Sequence, residues 1–243
     1  MLRMTKAELY DIIDSLRSDL ELIGFTTPFN SRDVCVQGFG LFYDEAQLGK
    51  SGLRGVAHIP TRTVIIDSSM TDREKCFYTF HECLHHRFCP NLGNQFFWDY
   101  DEFMTVPEQD PFLEWQCNEG AAQLLLPYQS FIPRYVEIAR ANSNIDELRV
   151  IESLVEEYNV TGRVVTNRIS SLNYEICCYL DGVDITAPSF IVRSRNYLNS
   201  IQWIDDHKRH LHPERRVYKP EKIITRRVAE PEVRFAEIEI VGR

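Results

Sequence analysis

The 243-residue sequence has no apolar run that approaches membrane-spanning length, which argues against a transmembrane helix. Its N-terminus, MLRMTKAELYDIIDSLRSDL, has acids scattered through it and no apolar core, so a secretory signal is not expected. It lacks a basic excess: 27 Lys and Arg stand against 36 Asp and Glu, a formal net charge of −9. General nucleic-acid binders usually carry the opposite balance. The cysteines (Cys35, Cys76, Cys83, Cys89, Cys117, Cys177 and Cys178) are odd in number and lack the spacing of a disulfide framework. With no export signal they read as reduced thiols, and the expected location is the cytoplasm. Internal repeats and low-complexity tracts are absent. What remains is the composition of an ordinary globular chain, 44% hydrophobic and 26% charged. Its length suits one large domain or a domain with an appendage.

Against this background one stretch stands out. HECLHH, residues 81–86, places three of the seven histidines and one carboxylate within a single short run. Thr71-Asp72-Arg73-Glu74 is a capping box, and the helix it opens runs through this stretch. A helix turns roughly 100° per residue. His81 and His85 therefore lie about 40° apart on one face, one turn from each other, where two imidazoles can grip one ion. His86 diverges from His81 by about 140° and reads as a polar neighbour rather than a ligand. In an H-E-x-x-H arrangement the glutamate, here Glu82, stays off the metal and shuttles the proton of an attacking water. Cys76, Phe77, Phe80, Leu84 and Phe88 make the same helix strongly apolar on one side. A buried helix that carries two histidines and a glutamate needs compensation for them. A metal is one form of it, and a hydrogen-bonded network is the other.

A catalytic zinc usually takes three protein ligands and leaves one position for water. No histidine continuation follows His85, so the third ligand is sought on a separate element. Asp110-Pro111 is a helix start, and the helix after it carries Glu114. Asn118 lies one turn further on the same face, where its amide oxygen can hold a ligand histidine. Glu119 is the competing carboxylate on this helix but points elsewhere. Cys83 and Cys117 are possible soft ligands. Cys83 faces away from the histidine stripe, and small buried cysteines are the simpler reading of both.

Along the rest of the chain, Thr5–Glu8 is another capping box and opens a helix toward Gly24. Residues 33–43 and 53–67 read as short strands, with a turn at 60–62, and the second region is the candidate edge for an extended substrate. Residues 89–110 form a long connection rich in aromatics and acids. Helices are expected at 111–126, 128–141, 145–158 (capped by Asn144) and 161–172. YEICCYL and VDIT flank Asp181-Gly182, which reads as a hairpin. Residues 194–209 look helical and 223–241 extended. Residues 205–227 hold eight Lys or Arg against four Asp or Glu, with His207, His210 and His212 among them. This weak basic patch reads as a solvated surface.

Two segments together resemble the ImmA/IrrE family of metallopeptidases. The first is Arg73 through His85, with Phe77 and Phe80 before His81-Glu82-Cys83-Leu84-His85. The second is Glu114-Trp115-Gln116-Cys117-Asn118-Glu119-Gly120-Ala121-Ala122-Gln123-Leu124-Leu125-Leu126-Pro127. The resemblance covers roughly residues 5–172. It departs at Gly120, where the family often has phenylalanine, and in the long 87–110 connection. It implies His81, His85 and Glu114 as Zn2+ ligands and Glu82 as general base. It also implies an α+β, zincin-like fold: a small antiparallel sheet packed with an active-site helix and further helices.

Residues 1–172 would be the peptidase domain, and residues 173–243 a C-terminal α/β extension to which no role is assigned. The implied activity is regulatory proteolysis of a repressor, often encoded beside the peptidase on a phage or mobile element. The alternative is a non-catalytic regulator or interaction protein that keeps the metal for stability. A third reading, nucleic-acid binding through 205–227, ranks last. Tyr78, Tyr100 and Tyr128 are equal candidates to stabilise an oxyanion.

Overall fold

A computed structural model describes residues 4–22, 30–89, 96–100, 110–141 and 147–191. The helix expected over 194–209, the extended stretch 223–241, the basic segment 205–227 and the cap at Asn144 lie outside these residues.

The chain opens with α1 (Lys6–Asp19), started by Thr5 and Glu8, whose side chains each bond the other's backbone N–H. A short helical segment follows as α2 (Ser31–Asp33), continued by a wider π-type turn over Val34–Gly38. This stretch was expected to be a strand. Asn30 instead caps it by accepting from the N–H groups of Arg32 and Asp33. The helical turn buries Cys35 and leaves Val36 exposed, which inverts the alternation that the two valines suggested.

Among the described residues, β1 (Phe42–Ala46), β2 (Leu53–His58), β3 (Thr63–Asp67) and β4 (Phe96–Tyr100) form one sheet in the order β1-β3-β2-β4. β2 and β3 form an antiparallel hairpin, turned by a 3-10 segment at Ile59–Thr61 and by Arg62 in the left-handed region. β1 lies parallel to β3, because the chain leaving β1 crosses over to β2 before returning. The sheet is therefore mixed, where a small antiparallel one was expected. β4 pairs antiparallel with β2 and falls within the 89–110 connection. β2 and β3 are thus interior, and β1 and β4 form the edges. The region 53–67 is not an edge.

Helix α3 (Asp72–Phe88) starts at the expected capping box. It packs against β2 and β3 on one side and against α4 (Pro111–Leu125) on the other. Phe80 and Leu84 belong to the main hydrophobic cluster, which also takes in α1, α4 and the later helices. Cys83 points the other way, into a smaller cluster with Cys35, Leu41, Val64, Ile66 and Met70. A helix covered on both sides is buried all round, and every residue from Thr79 to His86 is buried.

α5 (Tyr128–Ala141), α6 (Glu147–Tyr158) and α7 (Gly162–Ser171) complete the main cluster. The expected division at 172/173 falls between α7 and α8 (Asn173–Leu180). Lys6 pairs with buried Glu175 of α8 at 2.9 Å, and Ile176, Cys178, Phe190 and Ile191 sit in the same cluster. α8 takes the place of the expected hairpin strand. Asp181-Gly182 ends this helix: the Gly182 N–H reaches the Tyr179 carbonyl and the Val183 N–H reaches that of Cys178. With Gly182 at φ 81° this is a Schellman termination. No described helix is long and apolar enough to cross a membrane.

Candidate metal centre

His81 and His85 stand one turn apart on α3 with their Nε2 atoms 2.9 Å from each other. Glu114 on α4 faces both. Its Oε2 lies 3.3 Å from His81 Nε2 and its Oε1 lies 3.5 Å from His85 Nε2. A tetrahedral zinc with arms of about 2.0–2.1 Å spaces its ligands by about 3.3 Å. The two imidazole nitrogens and the carboxylate lie at separations close to that value, each histidine nearest a different carboxylate oxygen, and two imidazoles with a carboxylate are a zinc donor set. The residues present fit the ion.

The electrostatics favour the ligating protonation states. Burial pushes the His85 imidazole down to about 4, although Glu114 favours its charged form. The ring is therefore neutral near pH 7. Burial disfavours the Glu114 carboxylate too, but hydrogen bonding with His81 and His85 outweighs it and brings its pKa down to about 2. His81 and His85 are closed off from solvent, whereas the Glu114 side chain is 21% exposed. Glu114, Trp115 and Asn118 form a half-exposed stripe on α4, so the centre opens along this helix. Asp110 holds the start of α4 by accepting from the Phe112 N–H at 3.0 Å.

The structure brings His81, His85 and Glu114 together and sets Glu82 beside them. Glu82 is fully buried and lies under β2 at Gly55. His86 is directed elsewhere and its Nε2 donates to the Thr63 carbonyl of β3 at 3.2 Å. Burial holds its pKa below the usual value. Glu119, the rival ligand, bonds the Tyr10 hydroxyl and takes Arg168 Nη1 at 2.7 Å. Cys83 and Cys117 are core residues of different clusters. Tyr128 is stacked between Tyr10 and Phe190, and Tyr78 packs edge-on against Phe77.

Two contributors escaped the sequence reading. Arg168 is fully buried and anchors the back of α4. Gly55 lets Glu82 approach the sheet. A glycine inside a strand pattern is a known sign of close approach, so Gly55 was findable in principle.

The family model of the IrrE N-terminal-like domain, a peptidase family, matches residues 38–170, more than half of the chain. This span contains α3, α4 and all of the centre. No curated protein matches. A solved Mycobacterium tuberculosis transcriptional regulator is similar at 12% identity and a TM-score of 0.41, over 79% of this chain and 55% of that one. The chain thus spans little more than half the length of that protein.

Proposed function

The chain belongs to the peptidase family of the IrrE N-terminal-like domain, and on that premise we propose that it is a zinc-dependent endopeptidase acting on a regulatory protein such as a transcriptional repressor. The observation that carries this reading is the convergence of His81, His85 and Glu114 within 4.8 Å, with Glu82 next to the first of them.

His81 and His85 offer Nε2 and Glu114 its carboxylate, as the ligands of the ion. Zinc bound there supplies Lewis acidity, polarising a scissile carbonyl and acidifying a water. Glu82 takes the proton of the attacking water and delivers it to the departing amine. β2 covers Glu82 from the sheet side and keeps bulk water away from it. Asn118, on the Glu114 stripe, is proposed to hold a ligand histidine through its amide oxygen. An extended substrate is proposed to lie along β4, the edge strand beside β2. The overall negative charge favours a protein substrate over nucleic acid, and the cytoplasm is the proposed location. An encoded position beside the substrate on a phage or mobile element belongs to the same proposal.

The test is zinc per chain in untagged protein purified without added metal, for wild type and Glu114→Gln. The reading expects near one zinc in the wild type and a clear reduction in the variant. Mapping of new protein N-termini in cells then compares wild type with Glu82→Gln. Cleaved ends that appear only with wild type support the peptidase. The same biological effect from both chains would instead support the non-catalytic, metal-stabilised interaction protein.

A further inference from the structure

The Glu82 side chain lies against the backbone of β2 at Gly55. A Cβ added to Gly55 would fall 2.9 Å from Glu82 Cγ and 3.0 Å from its Cδ, and closer still to Oε1. Real Cβ atoms do not approach carbon so closely, so something has to move. Gly55 is not among the glycines with positive φ, so its backbone conformation is open to any residue. Space, rather than backbone freedom, makes position 55 a glycine.

Which partner would yield follows from the surroundings. Gly55 is paired on both sides, opposite Ile66 of β3 and Asp99 of β4. The ladder to β4 slips between Leu53 and Gly55, where Arg54 is the extra residue of a bulge. Bulges re-aim a strand locally, often next to active sites. The strand is thus held from both edges, and α3 is held between the sheet and α4. The freedom that remains lies in the side-chain torsions of Glu82.

We propose that Gly55 is the positioning residue of Glu82: its missing side chain leaves the space that holds the carboxylate in place beneath β2, without a part in holding His81, His85 or Glu114. The inference rests on the peptidase reading for its catalytic meaning. Gly120 is the contrast. A Cβ there would meet Leu84 Cδ1 at 2.7 Å and Ile13 Cδ1 at 3.2 Å, the ends of apolar side chains in a three-helix contact. The space at Gly120 is thus taken up by apolar packing.

The experiment is a double-mutant cycle on the zinc-loaded full chain, with Gly55→Ala, Glu82→Ala and the pair. Gly55→Ala is expected to lower Tm by about 5 °C. In the Glu82→Ala background, where the opposing side chain is gone, that cost should fall to about 1 °C or less. Should Gly55→Ala fail to fold, recovery of folding in the pair takes the place of the Tm difference. Zinc per chain should stay at the wild-type value in Gly55→Ala.

The visible spectrum of the cobalt-substituted protein is the second readout. Gly55→Ala should move it toward the Glu82→Gln spectrum, and Gly120→Ala should leave it at wild type. An equal Tm cost in both backgrounds, or no recovery of folding in the pair, overturns the contact. A wild-type cobalt spectrum in Gly55→Ala overturns the positioning role. A wild-type chain that binds no metal overturns the peptidase reading instead, and the cycle then still decides the contact.

Discussion

Helix α4 carries a charge cluster on each of two faces, one buried around Glu119 and one part-buried around Glu114, and the two differ in where their cation comes from. On one face Glu119 meets Arg168 of α7, whose guanidinium also bonds Tyr10 Oη at 2.6 Å, the Gln123 amide oxygen and the Leu126 carbonyl at 3.0 Å. The positive charge there is encoded by the chain, and the hydrogen-bond partners come with it. On the other face Glu114 meets two imidazoles, a set of ligands suited to an ion from solution. A buried carboxylate needs compensation in either place. A protein-supplied cation locks elements together, and a solution-supplied one leaves a coordination position for chemistry. On the proposed reading, two residues five apart on one helix divide the labour of stability and function.

The strongest way to break this comparison is to remove the encoded cation. Arg168→Ala leaves Glu119 buried without its cationic partner, with the Tyr10 hydroxyl still bonded to it. Losses of this kind cost about 3–5 kcal/mol, and Arg168 is fully buried. The expected result is a large drop in the denaturant midpoint with zinc per folded chain unchanged. Arg168→Met combined with Glu119→Gln should recover part of the loss, since an uncharged pair removes the isolated carboxylate. A zinc content that fell in parallel with stability would mean that the two faces are not independent.

How much of this was legible from sequence depends on the kind of signal. The candidate ligand pair and the helix that bears it were legible, because His81 and His85 obey helical spacing and Thr71–Glu74 marks the start. Glu114 followed from the need for a third ligand and from the resemblance. The Arg168 cluster was not legible: Tyr10, Glu119 and Arg168 are far apart in the chain, and only the fold brings them together.

The misread elements each have a local cause. Val34 and Val36 suggested alternation over too few residues, and Asn30 decided the local conformation. Asp181-Gly182 needs a positive φ whether it turns a hairpin or ends a helix, so the dipeptide alone cannot separate the two. β4 was missed because FFWDY shows no clean alternation and sits in a long connection that read as a loop. The sheet order depends on that strand, and with it the position of the edge.

Acid is the next lever, and it acts on the Glu114 face. For metal-free protein, His85 has its pKa lowered by burial to about 4, from an ordinary value near 6.5. Between these values the unfolded chain binds more protons than the folded one. Stability therefore rises with pH, is fully present above about 6.5 and is lost as pH falls toward 4. Glu114, held down to about 2 by its hydrogen bonds with the histidines in spite of burial, adds loss of the same sign at lower pH, below the usual carboxylate range near 4.5. Tm of the chelated protein should fall by several degrees between pH 7 and pH 4. Glu114→Gln with His85→Gln should flatten this slope, and a slope that survives the double substitution would place its origin elsewhere.

The smallest effect tests whether the start of α3 is coupled to its far end. Thr71 accepts from the Glu74 N–H, and Glu74 returns a bond to the Thr71 N–H at 2.8 Å. Thr71→Ala removes half of this box and should cost about 1 kcal/mol, or roughly 2–4 °C in Tm for a chain of this size. His81 lies more than two turns further along, and its position is fixed by burial between sheet and α4 rather than by the cap. Zinc affinity, measured by competition with a chromophoric chelator, should therefore be unchanged. Thr5→Ala, at the matching box of α1, should show the same pattern, because both boxes set where a helix begins and neither touches the centre. A weaker zinc affinity in Thr71→Ala alone would mean that the two histidines depend on the helix start for their register. The separation that holds across α4 would then fail along α3.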